Sequence, residues 1–205
     1  IIIASYNGEK YIAEQIASIL EQTYENIRLL IRDDGSTDNT VSIIKEFAKK
    51  DSRVVFIEDD LGSLHVGENF KNLLSHCSSE YVFLSDQDDF WNKDKVEVLL
   101  NFSIENFQKT TPCIAYSAGS VVNENLVDQH IWTINKPKIV NSHDIFLING
   151  GIQGCSMIIN RALYMLALEN KIQWYMHDQV LSIYAIFFGK TFYLDKSLFK
   201  YRQHS

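Results

Sequence analysis

Short apolar runs alternate with helical patterns through the first 107 residues of this chain, and three of the runs stop at a cluster of polar side chains. Residues 1–4, 27–31, 54–57 and 81–84 read as strands. After the first, Ile12, Ile16, Ile19 and Leu20 share one helical face at i, i+4, i+7 and i+8. Val41, Ile44, Phe47 and Ala48 form a second face, with Thr37 or Asp38 as its cap. Phe70, Leu73, Leu74 and Cys77 form a third over 70–77, and Val96, Leu99, Leu100 and Phe107 a fourth over 93–107. Four β-α units in succession imply an α/β fold, a parallel sheet with helices on both faces. A continuous apolar run such as Ile1-Ile2-Ile3 suits a strand covered on both sides. In such sheets ligands bind beyond the carboxyl ends of the strands. Ser5-Tyr6-Asn7, Asp33-Asp34-Gly35-Ser36 and Asp86-Gln87-Asp88 stand at three of those ends. Their convergence is the most informative feature of the sequence.

The second half, 108–205, is less regular. A strand is expected over 113–122, and the polar stretch 123–141 reads as a loop. Asn149-Gly150-Gly151 and Gly154 surround a turn before a strand over 155–159. Helices follow over 161–168 and from 177 to about 188, and two short strands, 191–194 and 197–201, close the chain. The 205 residues fit one domain without internal repeats. The chain opens inside a strand and stops without a helix or tail, so both ends are expected to be trimmed.

Charge narrows the function. With 19 Lys and Arg against 26 Asp and Glu the net charge is −7, and the longest basic run is Lys49-Lys50. Phosphate neutralisation needs clustered cations, so no nucleic-acid partner is expected. Cys77, Cys113 and Cys155 lie far apart, with no Cys-x-x-Cys or Cys/His spacing for zinc, and read as reduced, inert packing thiols of a cytosolic protein. No stretch approaches 18 uninterrupted apolar residues, as a membrane span requires. The Gly-x-x-x-x-Gly-Lys-Ser/Thr of P-loop enzymes is absent, and no Gly-x-Gly-x-x-Gly follows the first strand.

Two carboxylates at i and i+2 on a non-helical turn, Asp86 and Asp88, can face one hard cation whose shell diphosphate oxygens complete. The plain alternative is a solvated acidic turn, with Asp89 capping the next helix. Asp33 and Asp34 also admit two readings. One is an Asx-turn that leads into a helix; the other is a carboxylate that accepts from the imino N–H of uracil or thymine, with Tyr6 stacked on the base. Trp91, just after the acidic turn, is placed on the floor of a sugar or acceptor site, whereas Trp132 and Trp174 are expected in the core. Asp178 precedes an apolar helix, where a first-turn acid is favoured by the helix dipole. His65, His76, His130 and His143 have no partner that the sequence justifies.

Ile2-Ile3-Ala4-Ser5-Tyr6-Asn7, Asp33-Asp34-Gly35-Ser36-Thr37-Asp38 and Ser85-Asp86-Gln87-Asp88-Asp89, in this order and spacing, resemble the family 2 glycosyltransferases of the GT-A fold. Gly154-Cys155-Ser156-Met157, Met176-His177-Asp178 and Tyr201-Arg202-Gln203-His204 look most like bacterial members that include rhamnosyltransferases and other polysaccharide-building enzymes. The resemblance implies a single GT-A domain with a nucleotide-binding half over 1–107 and an acceptor half over 108–205. It implies a metal-dependent, inverting transfer from a UDP- or dTDP-sugar to a glycan, lipid-linked or protein-linked acceptor, with Mn²⁺ or Mg²⁺ as cofactor. Ala4, Ser5, Tyr6, Asn7, Asp34, Asp86 and Gln87 would hold the donor nucleotide. Asp88 and His204 would hold the metal, Trp91, Gly151 and His177 would face sugar or acceptor, and Asp178 would be the base. The family often has Glu-Asp at that last motif, where this chain has His177-Asp178. The expected location is the cytoplasm or the inner face of the membrane, and the resemblance leaves room for peripheral membrane association and for a homo-oligomer. The rivals are an Asp-x-Asp phosphotransferase or phosphatase, whose Thr or Val after the second Asp is missing here, and a non-catalytic nucleotide-sugar-binding module.

Overall fold

A computed structural model describes residues 1–134 and 152–203. Four strands, β1 (Ile2–Ser5), β2 (Leu29–Asp33), β3 (Val54–Phe56) and β4 (Tyr81–Ser85), lie parallel in the order β3-β2-β1-β4. Helices α1 (Ile12–Leu20), α2 (Thr40–Lys50) and α3 (His65–Ser75) connect them. The register pairs Ser5 with Asp33 and Ile3 with Ser85, so the polar clusters share one sheet edge. Alternation along β1 explains why the strand is apolar throughout. Ile2 packs with Leu30, Phe70 and Leu84 on one face, and Ile3 packs with Ile16, Ile31 and Phe83 on the other. Full burial of each such side chain contributes about 1.5–3 kcal/mol.

Beyond β4 the sheet becomes mixed. It continues through β8 (Met157–Asn160), β6 (Cys113–Val122), β9 (Lys190–Arg202) and β5 (Phe90–Trp91), with β7 (Asp128–Trp132) paired to β6. β8 runs antiparallel to both β4 and β6, and β6 and β9 are parallel. Helix α4 (Lys95–Asn106) follows β5; α5 (Arg161–Glu169) and α6 (His177–Phe188) precede β9. The Asn160 side chain caps α5 by accepting from Leu163 N–H.

Several expectations are corrected. The stretch 123–141 is not all loop, because β7 forms within it. All five β7 residues are exposed, so no apolar alternation marked the strand. The expected strand over 155–159 starts instead at Met157, after a short 3₁₀ turn, Gly154–Ser156. The two closing strands are one, β9, which bulges at Asp195 and Lys196 between the pairs Ser117–Leu194 and Ala118–Ser197. Helix α3 starts at His65, five residues before the expected 70. Trp132 is exposed rather than in the core, whereas Trp174 is buried as expected.

Candidate active site

The three polar strand ends and the segment before α6 enclose a cleft of about 1030 Å³. Ala4, Ser5, Tyr6 and Asp34 line it, together with Asp86, Gln87 and Asp88 from the neighbouring strand end. Tyr6 presents its ring to solvent, 56% exposed. Its backbone is pinned on both sides by Gln87, whose Oε1 accepts from Tyr6 N–H at 2.9 Å and whose Nε2 donates to the Tyr6 carbonyl at 3.0 Å. Gln87 thus joins the β1 and β4 loops. Gly8 makes this possible, since a Cβ there would fall 2.4 Å from Gln87 Oε1.

Asn7, the residue after Tyr6, is exposed to solvent. Its N–H donates to Ser36 Oγ at 2.8 Å, and its Oδ1 accepts from Thr37 N–H at 2.9 Å, which locks the two loops together. It does not line the cleft. Asp33 builds the Asx-turn foreseen from sequence, accepting from Gly35 and Ser36 N–H, and it also takes the Ser5 hydroxyl. Asp34 is buried and accepts four bonds: from Arg32 Nη1 (3.1 Å), Leu64 N–H (2.6 Å), the Ser63 hydroxyl (2.8 Å) and His65 N–H (2.9 Å). These fill the capacity of a carboxylate. Ser63 and His65 also line the cleft.

The acidic turn is electrostatically strained. Burial, then Asp88 and Asp178, push the Asp86 carboxyl up to about 7. Asp89 is buried, its carboxyl also raised by burial, and its Oδ2 has no hydrogen-bond partner. Lys95 is fully buried nearby. It donates to the Cys155 carbonyl at 2.6 Å and lies 3.7 Å from the centre of the Trp91 ring, and burial lowers its pKa to about 7. Ligand atoms of Asp86, Asp89 and Cys155 lie within 4.8 Å of one another. The Cys155 thiol is held protonated by burial, so the donors suited to a hard cation are the carboxylates. An orphaned buried carboxylate oxygen and three neighbouring acids fit a divalent ion.

Asp178 stands in the first turn of α6, half-buried, and accepts from the backbone N–H groups of Gln179 (2.7 Å) and Gly154. Burial raises its pKa against these bonds, to which its own backbone N–H adds a third. Asp178 does not line the cleft, although its negative charge helps to raise the Asp86 carboxyl.

Two further sequence-derived site residues are buried away from the cleft. Trp91 is fully buried, because β5 pairs with β9 and turns the indole onto Phe83. It is core and no floor for a sugar. His177 is 3% exposed and stacks on Phe70, ring centres 3.6 Å apart, with both nitrogens unpartnered. Burial lowers its pKa to about 3, so it is neutral. Gly151 and His204 lie outside the described residues, as do Gly150 and His143.

Arg202 was missed as a site residue. It lines the cleft, and its Nε donates to the Asp88 carbonyl at 2.8 Å while its backbone N–H donates to Asp89 at 3.3 Å. Its guanidinium also pairs with Glu14. The residue thus braces the acidic turn from the end of β9. In the sequence it stands within the stretch Tyr201-Arg202-Gln203-His204 that resembles the family, where it was given no role.

Parallel strand ends that gather carboxylates around an open cleft, with a mixed sheet completing the floor, define an enzyme of the GT-A fold. The sequence pattern of glycosyl transferase family 2 matches residues 1–165, and the chain belongs to that family of glycosyltransferases. It is 31% identical, over 98% of its length and 71% of the relative's, to the dTDP-rhamnosyl transferase RfbG of Shigella flexneri. The fold is similar to S. aureus TarS 1–349 in complex with UDP-GlcNAc, with a TM-score of 0.74 and 22% identity over 100% of this chain and 58% of that one. It is also similar to the mannosyltransferase PcManGT from Pyrobaculum calidifontis in complex with GDP-Man and Mn²⁺, with a TM-score of 0.66, 16% identity, and 98% and 55% coverage. Among the described residues no helix is long and apolar enough to cross a membrane.

Proposed function

We propose that this chain is a metal-dependent, inverting glycosyltransferase that moves a sugar from a UDP- or dTDP-linked donor to a hydroxyl of a glycan, lipid-linked or protein-linked acceptor. The observation that carries the reading is the meeting of Asp86 and Asp88 with Tyr6 and Asp34 around one cleft, with Asp178 close enough for its charge to raise the Asp86 carboxyl. A bacterial rhamnosyl relative that uses a dTDP-sugar, and solved relatives with UDP-GlcNAc or with GDP-Man and Mn²⁺, support a nucleotide-sugar donor. Peripheral docking at the inner face of a membrane belongs to the same reading, as does a homo-oligomer.

Tyr6 stacks on the base. Asp34 receives its imino N–H by exchange with the Ser63 hydroxyl, the one of its four donors that a simple side-chain rotation removes. Asp88, with Asp86 beside it, would hold Mg²⁺ or Mn²⁺, which supplies positive charge opposite the donor diphosphate. Asp178 takes the proton from the acceptor hydroxyl as that oxygen bonds to C1 of the sugar and the C1–O bond to the diphosphate breaks. Burial makes Asp178 a stronger base than a free aspartate, which suits this step. One carboxylate is enough for inversion, because no covalent intermediate has to be formed.

The test is a panel of UDP- and dTDP-sugars with Mn²⁺ and a glycan or lipid-diphosphate acceptor, read as release of nucleoside diphosphate and gain of sugar. The reading expects transfer from one of these donors and a metal-dependent gain in UDP or dTDP affinity that Asp88→Asn removes. Metal-independent binding in both proteins, or phosphate released from a phosphomonoester with no transfer, contradicts it.

A further inference from the structure

Arg32 lies next to the carboxyl end of β2, and its guanidinium is buried against the wall of the cleft, 2% exposed. A buried cation is tolerated only when paired and hydrogen-bonded. Arg32 meets that condition through four bonds. Nε and Nη2 donate to the two Asp59 oxygens at 2.8 and 2.9 Å, Nη2 also donates to the Gly62 carbonyl at 2.9 Å, and Nη1 donates to Asp34 at 3.1 Å. Asp59 in turn accepts from Leu61 N–H at 3.1 Å. Gly62 has φ +68°, a left-handed conformation that glycine adopts without strain. Asp34 then holds Ser63, Leu64 and His65. One guanidinium thus ties the end of β2 to the whole of loop 59–65, three of whose residues line the cleft.

We propose that Arg32 is a positioning residue for the base end of the cleft: acting through Asp59 and Asp34, it fixes loop 59–65 where the loop meets a pyrimidine. This rests on the reading of that end as the base subsite. The bonds of Arg32 require a planar fork. Lysine keeps the charge but cannot serve both Asp59 oxygens, Gly62 and Asp34 together. A cytosine, which lacks an imino N–H, gains nothing from Asp34, so the clamp favours uracil and thymine alone.

The experiment compares wild type, Arg32→Lys, Asp59→Asn and the double variant by UDP and CDP binding with and without Mn²⁺, and by amide hydrogen exchange without ligand. UDP affinity is expected to fall about tenfold in Arg32→Lys, the worth of one charge-assisted hydrogen bond, while CDP affinity holds. The Mn²⁺-dependent gain persists, because Asp86 and Asp88 are untouched. Leu64 and His65 amides exchange faster in both single variants, and the double variant is no worse than the weaker single one, since both break one clamp. A wild-type UDP-to-CDP ratio in Arg32→Lys overturns the role of Arg32 alone, as does an equal loss of UDP, CDP and the Mn²⁺ gain, which marks general loosening. Wild-type protein that binds UDP and CDP alike overturns the base-end reading, and this role with it.

Discussion

Gln87 bonds both backbone groups of Tyr6, accepting from its N–H and donating to its carbonyl, and so extends the β1–β4 contact beyond the last paired strand residues. The exposed Tyr6 ring therefore stands on a fixed backbone. Gln87→Ala removes both bonds. It is expected to lower stability by about 1–2 kcal/mol and UDP affinity several-fold. Urea unfolding and calorimetry on the same sample check this; an unchanged affinity would show that Tyr6 needs no such support.

The part of the cleft lined by Val66 and Trp174 depends on a close backbone approach. A Cβ on Gly67 would lie 2.1 Å from the Trp174 carbonyl oxygen, where α3 meets the segment before α6. The neighbouring Glu68 carboxylate accepts from Trp174 N–H at 2.6 Å. Gly67→Ala is expected to cost about 1–3 kcal/mol, the usual price of overpacking, and to expose the buried Trp174 indole. Thermal unfolding and tryptophan emission report both. A wild-type melting temperature with unshifted emission contradicts the expectation.

The parts legible in the sequence are those set by local pattern. The polar clusters after β1, β2 and β4 stand at one sheet edge because the ladders are parallel and in register, and α6 has the expected bounds, His177–Phe188. What failed depends on distant pairing. Trp91 follows the acidic turn in sequence, yet β9, about a hundred residues later, turns it into the core. The β7 strand has no buried face to leave an alternating signal. Asp34 was legible as a candidate acceptor. Its engagement by Arg32 and by loop 59–65 was not, because nothing local links residue 32 to residue 59.

His177 predicts a pH effect. Its folded pKa, about 3, lies below the ordinary 6.5 because burial disfavours the charged ring. Below about pH 6.5 the unfolded chain therefore binds a proton that the folded chain does not, and stability falls as pH falls. His177→Leu removes this term along with two unpartnered ring nitrogens. The variant should match or exceed wild type at pH 7 and gain on it by about 1–2 kcal/mol at pH 5. The wild-type-minus-variant difference isolates His177 from Asp86, whose raised pKa acts in the opposite sense. Parallel stability curves from pH 7 to 5 would refute a neutral, buried His177.

Asp178→Asn tests the chemistry most directly. As a first-turn acid alone, Asp178 contributes about 0.3–1 kcal/mol through the helix dipole, and its amide would leave the transfer rate nearly intact. As the base, it cannot be replaced by a group that takes no proton. The account predicts a transfer rate lower by about 10²–10⁴-fold, with UDP-sugar affinity and melting temperature close to wild type. A variant that transfers sugar at near the wild-type rate would remove Asp178 from the mechanism.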